Sequence, residues 1–192
     1  MLRNPIRLKN LNRRFLPLYV VGLGLLLLWV PSRETLLYAL PFLALGLAIR
    51  SWGAGHLVKN EALTTTGPYA HLRHPLYLGT LLIGTGFALG LGGAFALAGI
   101  AVLWPWFAWS YFPRKERVES ARLEDRYGDR FARYREAVPA LWPRLSAWRA
   151  GEVGGASGAW ALERYSDNNE LGTVLAVVAG WIAFWLRAVA GS

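Results

Sequence analysis

Arg73-His74, placed directly before Pro75, and the carboxylates Glu116 and Glu119, three residues apart, are the side chains with the clearest capacity for chemistry. The first pair sits in Gly67-Pro68-Tyr69-Ala70-His71-Leu72-Arg73-His74-Pro75-Leu76-Tyr77-Leu78-Gly79, which contains two of the three histidines and runs straight into an apolar segment. Gly67-Pro68 is expected to turn, and Pro75 disfavours helical geometry at His74. Arg73, His74 and the backbone around them are therefore available to a ligand at a membrane surface. The plainer alternative is a helix start, with Pro in the first turn, Arg73 on lipid phosphates and His74 capping a neighbour.

The second block, residues 114–135, supplies the opposite sign. If 114–126 is helical, Glu116 and Glu119 share one face and Lys115 pairs with Glu119 at i, i+4. Carboxylates beside a membrane suit a cationic ligand. The alternative is a solvated charged helix lying on the surface, with Val118, Leu123, Tyr127 and Phe131 turned inwards.

These blocks are carried by an apolar chain. Of 192 residues, 54% are hydrophobic and 17% charged, and the apolar residues are bunched, so the chain reads as an all-α integral membrane protein. A crossing helix needs about 20 residues, which leaves about five spans. The runs are 15–30, 35–49 with a continuation towards His56, 76–91, 94–112 and 171–189. Gly92-Gly93 suits a tight hairpin, Pro105 is expected to kink the fourth span and open a lateral cleft, and Gly86 with Gly90 forms a small face for helix contact. Trp104, Trp106, Trp109, Tyr111 and Phe112 form an aromatic belt or, alternatively, the wall of a lipid-tail pocket.

Basic residues precede the first run and no small-residue cleavage site follows it, so it is read as a retained span with a cytosolic N-terminus. Arg50, Lys59 and Arg73 after the second span, and Arg114, Lys115 and Arg117 after the fourth, put both polar blocks on the cytosolic side. The net charge of +9 is explained more simply by anionic lipid headgroups than by nucleic acid, and no nucleic-acid partner is expected. The absence of Cys excludes thiolate metal sites and a Cys nucleophile; no metal site is expected. The chain divides into a core at 1–143, a Gly-rich linker and polar segment at 144–170, and a C-terminal transmembrane helix at 171–192. That last helix, with Trp181 and Trp185 one turn apart, is read as anchoring and packing; covering a substrate opening or pairing two subunits are the alternatives.

Taken together, Gly-Pro-Tyr-x-x-x-Arg-His-Pro-x-Tyr-x-Gly at 67–79, and Glu-x-x-x-Leu-x-x-x-aromatic-Gly-x-x-aromatic-x-x-Tyr-x-x-x-Val-Pro at 119–139, resemble the isoprenylcysteine carboxyl methyltransferase and phospholipid methyltransferase superfamily. The resemblance covers about residues 63–143. It implies a membrane-embedded enzyme that binds S-adenosylmethionine at the cytosolic face. It also implies a cofactor site at Tyr69, His74, Tyr77, Leu78, Gly79 and Glu119, with Arg73 beside them. Arg117 or Lys115 would orient a carboxylate acceptor, and Glu116 or His74 would take the proton from an amine acceptor. The chain departs from the pattern at Lys115, where Arg is usual, at Glu119-Ser120, where two acids are common, and at Phe131, where Tyr is usual. Lys cannot reproduce a bidentate Arg contact.

The expected activity is methyl transfer to a lipophilic acceptor entering from the bilayer of a prokaryotic inner membrane. Carboxyl O-methylation of an isoprenoid thioether is the first reading and N-methylation of a phospholipid amine the second. A non-catalytic scaffold or lipid-binding protein is a third.

Overall fold

The computed structural model describes residues 24, 29–58, 62–149 and 158–191. The first expected span, 15–30, lies outside these apart from Gly24, Trp29 and Val30, and so does the Gly-rich linker apart from Gly158. Among the described residues the protein is all-helical.

Helix α1 is Arg33–His56; Ser32 caps it, its Oγ accepting from the Thr35 amide at 3.2 Å. A 3-10 turn, Gly67–Ala70, leads to α2, Pro75–Leu91, which starts on its proline because His74 is held off helical geometry (φ −127°, ψ 61°). The turn at Gly92-Gly93 reverses the chain into α3, Gly93–Pro105, as the glycine pair predicts. A π-helical stretch, Trp106–Tyr111, joins α3 without a break to α4, Phe112–Tyr127. Helices α5, Asp129–Ala137, α6, Leu162–Asp167, and α7, Glu170–Ala190, complete the fold.

The α3–α4 rod has 35 residues and is about 52 Å long at 1.5 Å per residue, well beyond a hydrocarbon core of about 30 Å. A hydrocarbon core cannot hold all of it, and its charged residues fall in the second half. The π stretch lies between Pro105 and Pro113. Each proline lacks an N–H and crowds the carbonyl four residues back.

Helix ends sort into two levels. The start of α1, the α2–α3 turn and the end of α7 meet at one: Thr35 Oγ1 donates to the Gly90 carbonyl at 3.1 Å, and Gly191 lies against Val30. The end of α1 and the starts of α2 and α7 meet at the other, where α4 also reaches. The four long elements thus alternate in direction. Arg50, expected in a connection, lies inside α1 and is ion-paired to Glu170.

Close approach of α1 and α2 depends on Gly46 and Gly79: a Cβ on either would lie 2.7–2.8 Å from the other's carbonyl oxygen. Gly86 and Gly90 form the expected contact face, receiving Leu43 of α1 and Trp181 of α7. One core joins Leu36, Ala39 and Leu43 of α1 to Ile83 of α2 and to Val177, Trp181 and Ala188 of α7. A second gathers Leu63, Phe131, Tyr134 and Val138 with Leu123 and Tyr127 beneath the charged helices. Val118, expected inside, is 63% exposed. Its position lies off the stripe that Leu123 and Tyr127 define.

The segment after the linker caps α1. A helix leaves its last carbonyls unsatisfied, and here Asn168 Nδ2 donates to the Ala54 and Leu57 carbonyls at 2.9 and 3.0 Å. The Ala161 amide serves Gly55 at 3.0 Å, and Arg164 serves His56 at 3.4 Å. Trp160 packs directly on Gly55, where a side chain would exclude it.

Candidate active site

Backbone hydrogen bonds zip the first polar block to the stretch just after the second, across more than sixty residues of sequence. The Arg73 and His74 amides donate to the Pro139 and Ala140 carbonyls at 2.9 and 3.0 Å, while the Arg144 and Trp148 amides donate to His71 and Ala70 at 3.0 and 2.8 Å. Side chains reinforce the seam: Arg73 Nε donates to the Val138 carbonyl at 3.0 Å and Tyr134 Oη to the Tyr69 carbonyl at 2.7 Å. Burial pushes the Tyr134 and Tyr69 hydroxyls above the ordinary tyrosine range, so Tyr134 stays a donor. His71 belongs to this seam as well, with Nδ1 2.9 Å from the Arg144 carbonyl.

His74 points the other way, between two carboxylates. Its Nε2 meets Glu116, and its Nδ1 lies 3.5 Å from Glu119. Arg73 Nη1 donates to the other Glu116 oxygen at 2.5 Å, and Tyr77 Oη donates to Glu119. Glu119 is therefore engaged by α2 and not by Lys115 as its spacing alone suggested. The ring of Tyr77 stacks on His74 at 5.4 Å, and Phe112 closes edge-on at 5.5 Å from His74. Tyr111 packs edge-on against Tyr77 at 5.8 Å. The aromatic group splits accordingly: Tyr111 and Phe112 back the site, Trp104 donates to Thr85 Oγ1 of α2 at 3.1 Å, Trp106 stacks on Tyr111 and Trp109 is exposed.

Beside these groups lies a cavity of about 270 Å³. Tyr69, Arg73, His74, Tyr77 and Glu119 line it, with Leu57, Val58 and Leu63 from the segment after α1 and Leu123, Tyr127 and Phe131 from the charged helices. Leu78 and Gly79 do not line it; Leu78 is buried and Gly79 is consumed by the contact with Gly46 and Arg50. Glu116 stands behind the lining, holding Arg73 and His74. Lys115 and Arg117 are exposed and do not line the cavity.

The lining also holds polar residues that were not anticipated, among them Ser120, Arg122 and Arg126. Arg122 and Arg126 follow Glu119 at three and seven residues, a helical repeat that brings them to the same face. Ser120 is 5% exposed, and among the described residues its Oγ has no hydrogen-bond partner. A buried hydroxyl left unpaired costs about 1–3 kcal/mol, which a polar ligand in the cavity would recover. Among the described residues no group of three or more His, Asp or Glu side chains could hold a metal ion.

Fold and site together define a class: an integral membrane helical bundle with a charged, aromatic-backed ligand pocket at one end. Residues 19–130 match the model of the phospholipid methyltransferase family, and the chain belongs to that family. It is 41% identical over 126 residues to the cobalt-zinc-cadmium resistance protein CzcN of Cupriavidus metallidurans, covering 63% of this chain and 54% of that protein. It is 33% identical over 119 residues to the protein-S-isoprenylcysteine O-methyltransferase of Schizosaccharomyces pombe, covering 56% of this chain and 49% of that one. The chain spans about half the length of these curated relatives. No solved structure matches it.

Proposed function

We propose that this protein is a membrane methyltransferase that binds S-adenosylmethionine in the cavity between α2 and α4 and methylates a lipophilic acceptor arriving from the bilayer. The observation that carries this reading is the convergence of Arg73, His74 and Tyr77 with Glu116 and Glu119 inside the family-matched region. When bound, S-adenosylmethionine supplies an electrophilic methyl group on a sulfonium that leaves as a neutral thioether.

The lining suits each part of that molecule. Glu119 and the faces of Tyr69 and Tyr77 favour positive charge. Arg122 and Arg126 favour a carboxylate, Ser120 Oγ offers a donor and an acceptor, and Leu57, Val58, Leu63 and Phe131 offer an apolar wall for a base. Arg73 is less available for binding, because its guanidinium already bonds Glu116 and the Val138 carbonyl. Its role is to hold the two strips at the separation the pocket requires. Leu78 and Gly79 contribute through helix packing. Lys115 and Arg117, exposed on α4, would meet the polar end of an acceptor.

In-line transfer depends on positioning and exclusion of water more than on a strong base. A carboxylate acceptor attacks through oxygen and has no proton to lose, and nothing in the site has to remove one. An amine acceptor must give up a proton, for which His74, which lines the cavity, is at hand, with Glu116 behind it. The O-methylation reading rests on the likeness to the isoprenylcysteine enzyme, and the N-methylation reading on the family itself. The prokaryotic inner membrane, with the site towards the cytosol, is the location that the basic residues of both blocks support.

The decisive experiment is calorimetric titration of the protein in nanodiscs with S-adenosylmethionine and S-adenosylhomocysteine, followed by tracing a labelled methyl group into lipid extracts. Base-labile label indicates an ester and base-stable label an amine. If neither nucleoside binds, the protein is a scaffold and the proposal fails.

A further inference from the structure

Arg50 and Glu170 lie 120 residues apart, on α1 and α7, and form a two-point ion pair: Nε to Oε1 at 2.9 Å and Nη2 to Oε2 at 2.8 Å. The Glu170 side chain is 1% exposed and that of Arg50 16%. The remaining donors of the same guanidinium are spent on neighbouring helices. Nη1 donates to Thr80 Oγ1 at 2.7 Å and to the Leu76 carbonyl at 3.2 Å, and Nη2 to Thr173 Oγ1 at 3.3 Å. Thr80 Oγ1 itself donates to the Leu76 carbonyl at 2.8 Å. The stem of Arg50 lies across Gly79, where any Cβ would meet its Cγ at 2.4 Å.

We infer that Arg50 is a positioning residue for the site, and that Glu170 makes the C-terminal helix part of the scaffold that sets the first turn of α2. Leu76 follows His74 by two residues and directly precedes Tyr77, so the guanidinium grips the backbone between the two side chains, His74 before α2 and Tyr77 in it, that meet Glu116 and Glu119. Attachment of α7 alone does not call for a charge: Val177, Trp181 and Ala188 already seat it in the apolar core. A buried ion pair contributes little net stability relative to apolar packing. What its rigid fork adds is direction, with five hydrogen-bond donors in one plane distributed over two helices. The family match ends at residue 130, and Glu170 lies beyond it.

The readout that tests the inference is backbone hydrogen exchange at Tyr77–Thr80, with S-adenosylhomocysteine affinity as a second readout that rests on the function proposed above. Thr80→Val keeps volume and removes one charge-assisted bond to Arg50. It is expected to raise exchange at Tyr77–Thr80 about tenfold and weaken S-adenosylhomocysteine about tenfold, while leaving α7 exchange unchanged. Arg50→Lys keeps a charge for Glu170 but loses the fork, and is expected to raise exchange at Tyr77–Thr80 likewise, with some rise in α7 as well. Glu170→Gln should loosen α2 and α7 together. Unchanged α2 exchange in both Thr80→Val and Arg50→Lys would overturn the inference and reduce Arg50 to a tie between α1 and α7. A wild-type protein that binds no nucleoside would instead sink the methyltransferase reading, leaving the exchange result to stand or fall by itself.

Discussion

Replacing Gly79 by Ala separates a packing role from a ligand role at a position where the motif suggested the latter. A Cβ there would lie 2.7 Å from the Gly46 carbonyl oxygen, against 3.4 Å for ordinary contact, so α1 and α2 must part by about 0.7 Å. That carbonyl is backbone and cannot rotate away, and the stem of Arg50, with Cγ at 2.4 Å, stands nearer still. Overpacking of this kind costs about 1–3 kcal/mol, which at roughly 2–4 °C per kcal/mol for a chain of this size lowers the unfolding midpoint by about 2–12 °C. Gly46→Ala meets the Gly79 carbonyl and Ile83 at 2.8 Å and should cost the same, although neither neighbour lines the cavity. The assay is tryptophan-fluorescence melting of both variants in one detergent, paired with S-adenosylhomocysteine titration at a temperature where both are folded. Destabilisation of both is expected; Gly46→Ala should keep affinity within about threefold, less than one 1.4 kcal/mol step, whereas Gly79→Ala, whose Cβ also displaces Arg50 Cγ at 2.4 Å, should lose affinity together with stability. Normal stability with binding lost in Gly79→Ala, and normal binding in Gly46→Ala, would refute the packing argument and return Gly79 to the pocket.

Glu116→Gln removes the carboxylate shared by Arg73 and His74 and is expected to lower stability by about 3 kcal/mol in denaturant titration, the lower end for breaking a buried pair. Cofactor affinity should fall with it. His74→Ala should weaken S-adenosylhomocysteine binding more than about tenfold, whereas His71→Ala, which gives up one bond to the Arg144 carbonyl, should cost about 1 kcal/mol of stability and leave affinity intact. Equal losses in the two histidine variants would show the site is misplaced. Asn168→Ala uncovers the Ala54 and Leu57 carbonyls and should cost about 1–3 kcal/mol, with faster exchange confined to the last turn of α1. Uniform exchange across the bundle would contradict the capping role.

Much of the site was legible because its parts obey local rules. Pro75 marked where α2 begins and why His74 stands outside it, and the i, i+3 spacing of Glu116 and Glu119 put both on the face that meets α2. The departures have equally specific causes. Lys115–Glu119 satisfied the helix-spacing rule, but Tyr77 and His74 from another helix reach Glu119 instead. Leu78 and Gly79 lay in the motif, yet one turn into α2 their positions face helix contacts and not the cavity. Val118 shared a polar helix with Leu123 without sharing its face.

From residues alone came the apolar lengths that demand a bilayer, the turns at Gly67-Pro68 and Gly92-Gly93, and the chemical character of the two polar strips. Each depends on neighbours a few positions away. Tertiary structure alone decided that Arg73 spends its charge on Glu116, that His71 and His74 serve opposite sides of one seam, and that Arg50 finds Glu170 across 120 residues. Pairings of that kind depend on the relative register of whole helices, which is set by packing such as Gly46 against Gly79, and no local pattern in the chain encodes it.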